Sequence, residues 1–122
     1  MTTMRDANDS ISESELDRLR DLRATTMIRL SADRIHQNYV AGTLDPMTTR
    51  EIDDALTELR RLGGEVAREK SATVVSTSVG RLADALDADD HVAGQAQIRI
   101  AAPTMVAMAI LAGWEVGSLS PF

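Results

Sequence analysis

The sequence predicts a mainly α-helical fold, a small antiparallel bundle of about four helices with one short extended segment near residues 95–101. Three observations carry this. Aliphatic residues recur at three- and four-residue spacing over most of the chain, the period of a helix with one apolar face. Helix-breaking Gly, Pro and Asp gather at a few points, leaving long uninterrupted segments between them. Only Tyr39, Trp114 and Phe122 are aromatic, so Leu, Ile, Val, Ala and Met must fill the core. At 122 residues the chain has the length of one domain and can bury a core without a staple.

Residues 1–11 are polar and without periodicity, and read as a flexible N-terminal tail. Residues 12–122 read as a single helical domain. Ser12 and Glu15 have capping-box spacing at the start of the first helix, with Glu13, Glu15 and Asp17 where a helix N-terminus favours negative charge. Leu16, Leu19, Leu22, Met27, Leu30, Ile35 and Tyr39 follow at helical intervals. They form two stripes: Leu16, Leu19, Met27 and Leu30 on one face, Ile28, Ile35 and Tyr39 about a third of a turn away. Either one long helix rolls across two partners, or it breaks near Thr25-Thr26 or Ser31. Gly42 suits a C-terminal cap, and Asp45-Pro46 predicts a non-helical connection.

Thr48 and Glu51 predict a second capping box, followed by Ile52, Ala55, Leu56, Leu59, Leu62 and Val66 on one stripe. Because Val66 stays in phase, this helix is expected to pass through Gly63-Gly64 to about Lys70. Val75, Val79, Leu82 and Leu86 make a helical seam over 71–88. The Ser, Thr and Val content of Thr73 to Val79 also suits a strand. Asp87, Asp89 and Asp90 form an acidic turn. Gln95 to Ile100 alternates polar and apolar, hence the extended segment. Pro103 suits the first turn of a final helix, Thr104 to Glu115. Short connections at Gly42–Met47 and Asp87–Asp90 favour sequential antiparallel neighbours.

Met105 to Trp114 is apolar on every side, and a helix of that kind has to be covered. It is either the central helix of the bundle or a face that closes on a copy or a partner. In the second case Met105, Met108, Leu111 and Trp114 are the interface residues, with Trp114 the natural anchor.

The chemistry available is narrow. Without cysteine there are no disulfides, thiol nucleophiles or thiolate metal sites, which fits a reducing cytoplasm. The N-terminus carries no apolar signal stretch, and the run Ile100–Trp114 falls short of the roughly 20 residues that span a bilayer. His91 beside Asp87, Asp89 and Asp90 lacks the spacing of a calcium loop or a zinc pair. His36 and Tyr39 read as a partly exposed structural pair. No phosphate loop, dinucleotide fingerprint or nucleophile elbow occurs. The expectation is a non-enzymatic, cytoplasmic interaction or assembly protein, oligomeric, binding itself or another protein. No cofactor, metal, membrane or small-molecule substrate is expected. The net charge of −6 opposes non-specific attraction to nucleic acid and anionic membranes.

A second reading comes from Thr25-Thr26-Met27-Ile28-Arg29-Leu30-Ser31 together with Ile52, Ala55 and Leu56. These segments resemble the strand and second-helix core of the ribbon-helix-helix repressors and antitoxins. The resemblance implies a dimer that places a paired strand in the DNA major groove, with Thr25, Met27 and Arg29 as DNA-binding residues. Arg18, Arg20, Arg23, Arg29 and Arg34 make residues 18–34 locally basic. Arg34 and Asn38 stand where that family's first helix carries apolar core residues, and Gly42–Met47 is longer than its tight turn.

Overall fold

The computed structural model describes residues 12–113, so the tail 1–11, Trp114 and the residues after it lie outside the described residues. Four helices account for nearly all of this span: α1 (Glu13–Ala41), α2 (Pro46–Leu62), α3 (Gly64–Asp87) and α4 (His91–Ala112). The all-α bundle expected from the sequence is what forms.

α1 is one helix of 29 residues with no break at Thr25-Thr26 or Ser31. The Thr25 and Thr26 hydroxyls donate to the carbonyls of Asp21 and Leu22, so these β-branched residues sit in the helix with their polar atoms satisfied. Ser12 caps it by accepting from the Glu15 N–H at 3.1 Å. Gly42 closes it with φ 73°, where a left-handed conformation costs glycine nothing. The strand that the ribbon-helix-helix resemblance requires is therefore absent: Thr25 to Ser31 lies in the middle of α1.

α2 begins earlier than the Thr48–Glu51 pair suggests. Asp45 is the cap and accepts from both the N–H and the hydroxyl of Thr48, each at 2.9 Å. Pro46 fits the first turn, where its missing N–H leaves nothing unsatisfied. These two bonds, the backbone one first, hold the Asp45 carboxyl below the usual carboxylate range. At its other end α2 stops at Leu62. Gly63 and Gly64 both take positive φ, at 73° and 46°, and α3 starts at once. Val66 matched the α2 stripe by phase alone; it is exposed, and Ala67 takes the inward position.

α3 is helical throughout, including Thr73 to Val79. Hydroxyls of Ser71 and Thr73 donate back to Ala67 and Glu69, which frees the helix of the β preference of these residues. α4 absorbs both the expected extended segment and Pro103. The alternation over 95–100 was deceptive: Ile98 is buried, whereas Ile100 is half exposed. Ile98, Ala101, Ala102, Met105 and Ala109 bury one continuous stripe on both sides of the proline. That burial outweighs the hydrogen bond a proline forfeits in a helix interior.

α3 and α4 form an antiparallel hairpin across the turn Ala88–Asp90, where the Asp90 N–H donates to the Ala85 carbonyl at 2.8 Å. α1 lies along one half of the hairpin, with Arg20 reaching Asp87 at 3.2 Å. α2 lies along the other half, with Arg99 of α4 bonded to Met47 and Glu51. α1 and α2 scarcely touch each other, so the expected antiparallel pairing of these sequence neighbours does not form. α3 and α4 each contact all three other helices, and Met105, Val106, Ala107 and Ala109 of α4 are buried among them.

This explains the apolarity of the C-terminal segment. At 22 residues α4 is long and apolar enough to cross a membrane by length and composition, contrary to the shorter run expected from sequence. Its buried residues are covered by the chain's own helices.

Candidate interaction surface

Of the two stripes of α1 seen in the sequence, the one with Ile28, Ile35 and Tyr39 turns to the core, where Ala24, Ile28, Ala32 and His36 are buried and Ile35 and Tyr39 pack beside them. The other divides: Met27 packs against the core, while Leu16, Leu19 and Leu30, with Leu22 beside them, stay uncovered. Leu16, Leu19, Leu22 and Leu30 are 38%, 54%, 61% and 57% exposed. They lie within about a third of a turn of one another at roughly 100° per residue, along about 21 Å of helix. One exposed leucine is ordinary, but four on one helical face form a patch of the kind that marks interaction sites.

By helical phase, Arg18 and Arg29 lie along one edge of this row, while Arg23 and Arg34 fall within it, beside Leu30 and Leu16. None of the four makes an ion pair among the described residues, whereas Arg20 is engaged by Asp17 and Asp87. Glu15 and Asp33 also lie on this face. At its C-terminal end, the row meets an open crevice of about 410 Å³ between α1 and α4, lined by Met27, Leu30, Ser31, Arg34, Gln95 and Ile98.

The interface residues expected from sequence are scattered by the fold. Met105 is completely buried within the chain's own core. Met108 is half-buried and Leu111 is exposed at the rim, and both line a crevice with Leu59, Arg60, Gly63 and Ala67. Trp114 lies outside the described residues. Of the DNA-reading trio, Thr25, Met27 and Arg29 are all half-buried on α1, and Met27 packs against the core.

The polar candidates do not come together. His36 is buried, not partly exposed, and its Nδ1 has no hydrogen-bond partner. Tyr39 instead donates to Asp53 Oδ1 on α2 at 2.8 Å, and this bond, with partial desolvation, pushes its phenol above the usual tyrosine range. His91 is exposed at the acidic turn, 3.3 Å from Asp89, whose φ of 54° makes the turn possible. No group of three or more His, Asp or Glu side chains is placed to hold a metal ion among the described residues.

Sequence reasoning had the leucines of α1 and the basic character of residues 18–34 in hand, but assigned the contact to α4. The signal that separates them is the double stripe itself: a helix can turn only one of two such faces to its core.

Comparison of the chain with family models, with curated proteins and with solved structures gives no match.

Proposed function

We propose that this protein works in the cytoplasm by binding another protein, without catalysis, and that the outward face of α1 is the contact surface. The observation that carries the reading is the row Leu16, Leu19, Leu22 and Leu30, left uncovered by a chain that buries Ile28 and Ala32 on the same helix. About half the surface of each leucine remains to be covered, so closing the row recovers about half of the roughly 1.5–3 kcal/mol that full burial of each would give. The contact is thus moved from the α4 residues favoured by the sequence to α1.

A photo-crosslinking amino acid placed at Leu19 or at Leu30 in the native host tests this. The expected result is a discrete crosslinked protein from both positions and none from the same probe at Arg81. If neither position yields a product, and the chain elutes from host extract at the mass of its free form, the reading fails.

A further inference from the structure

The charges that fall within the outward face of α1 restrict what can cover it. We infer that the protein bound there is a second copy of this chain, its α1 antiparallel to the first in a single register, with Arg23 of each copy opposite Asp33 of the other. This rests on the reading of α1 as the contact face and names what meets it.

From Leu16 to Val40 the outward positions of α1 recur at alternating intervals of three and four residues, the spacing at which two helices bury a shared seam. By helical phase they keep within about a third of a turn. Leu16, Leu19, Leu30 and Val40 are exposed along this seam, and Val40 is 62% so. Two charges stand among them, Arg23 exposed and Asp33 half-buried. Neither makes an ion pair among the described residues, and Asp33 Oδ1 is buried without a hydrogen-bond partner. A charge inside a helix seam is costly to cover unless an opposite charge faces it, so it selects register and direction.

One self-pairing answers both charges at once. With a two-fold axis midway between Thr26 and Leu30, antiparallel α1 helices set Arg23 opposite Asp33 on each side of the axis. The same register sets Leu16 opposite Val40, Leu19 opposite Gln37 and Thr26 opposite Leu30. A slip of one heptad in one direction faces Asp33 with Leu16 and Arg23 with Thr26, which leaves both charges unpaired. The opposite slip carries Leu16 and Leu19 past the end of the partner helix. A parallel pair faces Arg23 with Arg23 and Asp33 with Asp33. Arg29 meets its counterpart near the axis, but nearly a quarter of a turn from the middle of the seam, where solvent screens like charges. The net charge of −6 opposes approach, and physiological salt screens it over about 8 Å. A helix face about 36 Å long and 10–12 Å wide is smaller than the roughly 800 Å² per partner of a standard interface. The pair is therefore weak and reversible, and dilution returns the single chain whose stability unfolding measurements read.

The test uses the full chain. Sedimentation velocity over a concentration series should show a reversible monomer–dimer equilibrium. Arg23→Glu and, separately, Asp33→Arg should each raise the dissociation constant by about tenfold or more, with circular dichroism unchanged, because each sets like charges opposite one another. Both substitutions in one chain, or a mixture of the two single variants, should restore the dimer, since opposite charges then face again. The chain has no cysteine, so introduced thiols report the register directly. Leu16→Cys mixed with Val40→Cys should give an intermolecular disulfide at least about tenfold faster than either variant alone.

A chain that stays monomeric at the highest concentration it tolerates overturns the inference. So does a dimer indifferent to both charge reversals, or one that folded single variants fail to restore when mixed. Leu16→Cys chains that crosslink alone as fast as the mixture overturn it as well, and the thiol pair decides the matter if a charge variant does not fold. A crosslinked product at Leu19 whose mass is not that of two copies sinks self-pairing alone; absence of any crosslink sinks the contact face itself.

Discussion

The hydroxyl of Tyr39 on α1 donates to Asp53 on α2 at 2.8 Å, joining two helices that otherwise scarcely meet. It spans the connection Gly42–Asp45, on whose two sides α1 and α2 each rest on the α3–α4 hairpin.

Tyr39→Phe keeps the packing of the ring and removes this bond. The expected loss is about 0.5–1.5 kcal/mol of unfolding free energy in denaturant titrations. The folded-state pKa of Tyr39 is raised, first by the bond to Asp53. Its contribution is therefore full below the ordinary tyrosine value near 10 and fades as pH rises through the folded value. Parallel alkaline stability curves for the wild-type and phenylalanine proteins would contradict this.

Glu58 lies between Arg61, at 2.7 Å, and Lys70 of α3, at 3.1 Å. Hydrogen bonds from Arg61 and then Lys70 lower its carboxyl from 4.5 to about 2. A depressed carboxylate contributes stability above its unfolded value and loses it as pH falls through the folded value. Between about pH 4.5 and 2 the wild type should therefore lose stability faster than Glu58→Gln. Thermal melts across that range read the difference directly, and coincident slopes would refute it.

The α3–α4 hairpin depends on one close approach. A Cβ added at Gly94 would lie 3.3 Å from Cδ1 of the completely buried Leu82 and 3.9 Å from the Ala85 Cβ. Gly94→Val should destabilise by about 1–3 kcal/mol through overpacking. Gly80, exposed in α3 with no atom near its missing Cβ, gives the opposite sign. Gly80→Ala should stabilise by about 0.5–1 kcal/mol, because alanine is the better helix former.

Leu82→Ala opens a cavity where α3 meets α4 and should cost about 2–5 kcal/mol. Leu19→Gln, on the uncovered face of α1, should change stability by no more than about 0.5 kcal/mol. Equal losses at the two positions would show that the α1 row is covered in the folded chain.

The helical fold was legible because long stripes such as Ile52–Leu56–Leu59 and Val75–Leu82 have one period only. The boundaries were less so. Gly63-Gly64 read as passable because Val66 fell in phase, and phase says nothing about backbone φ. Pro103 read as a helix start because local propensity cannot register the burial of Ile98 and Met105 on either side of it. The α1 face was written in the sequence as a second stripe. Which stripe met the core was set by α3 and α4, which are distant in sequence.

α1 and α2 each rest on the α3–α4 hairpin and scarcely meet except through Tyr39 and Asp53, so their amides report on separate packing surfaces. A partner that covers Leu19 and Leu30 should slow exchange throughout α1, so binding would be read as the tightening of one helix.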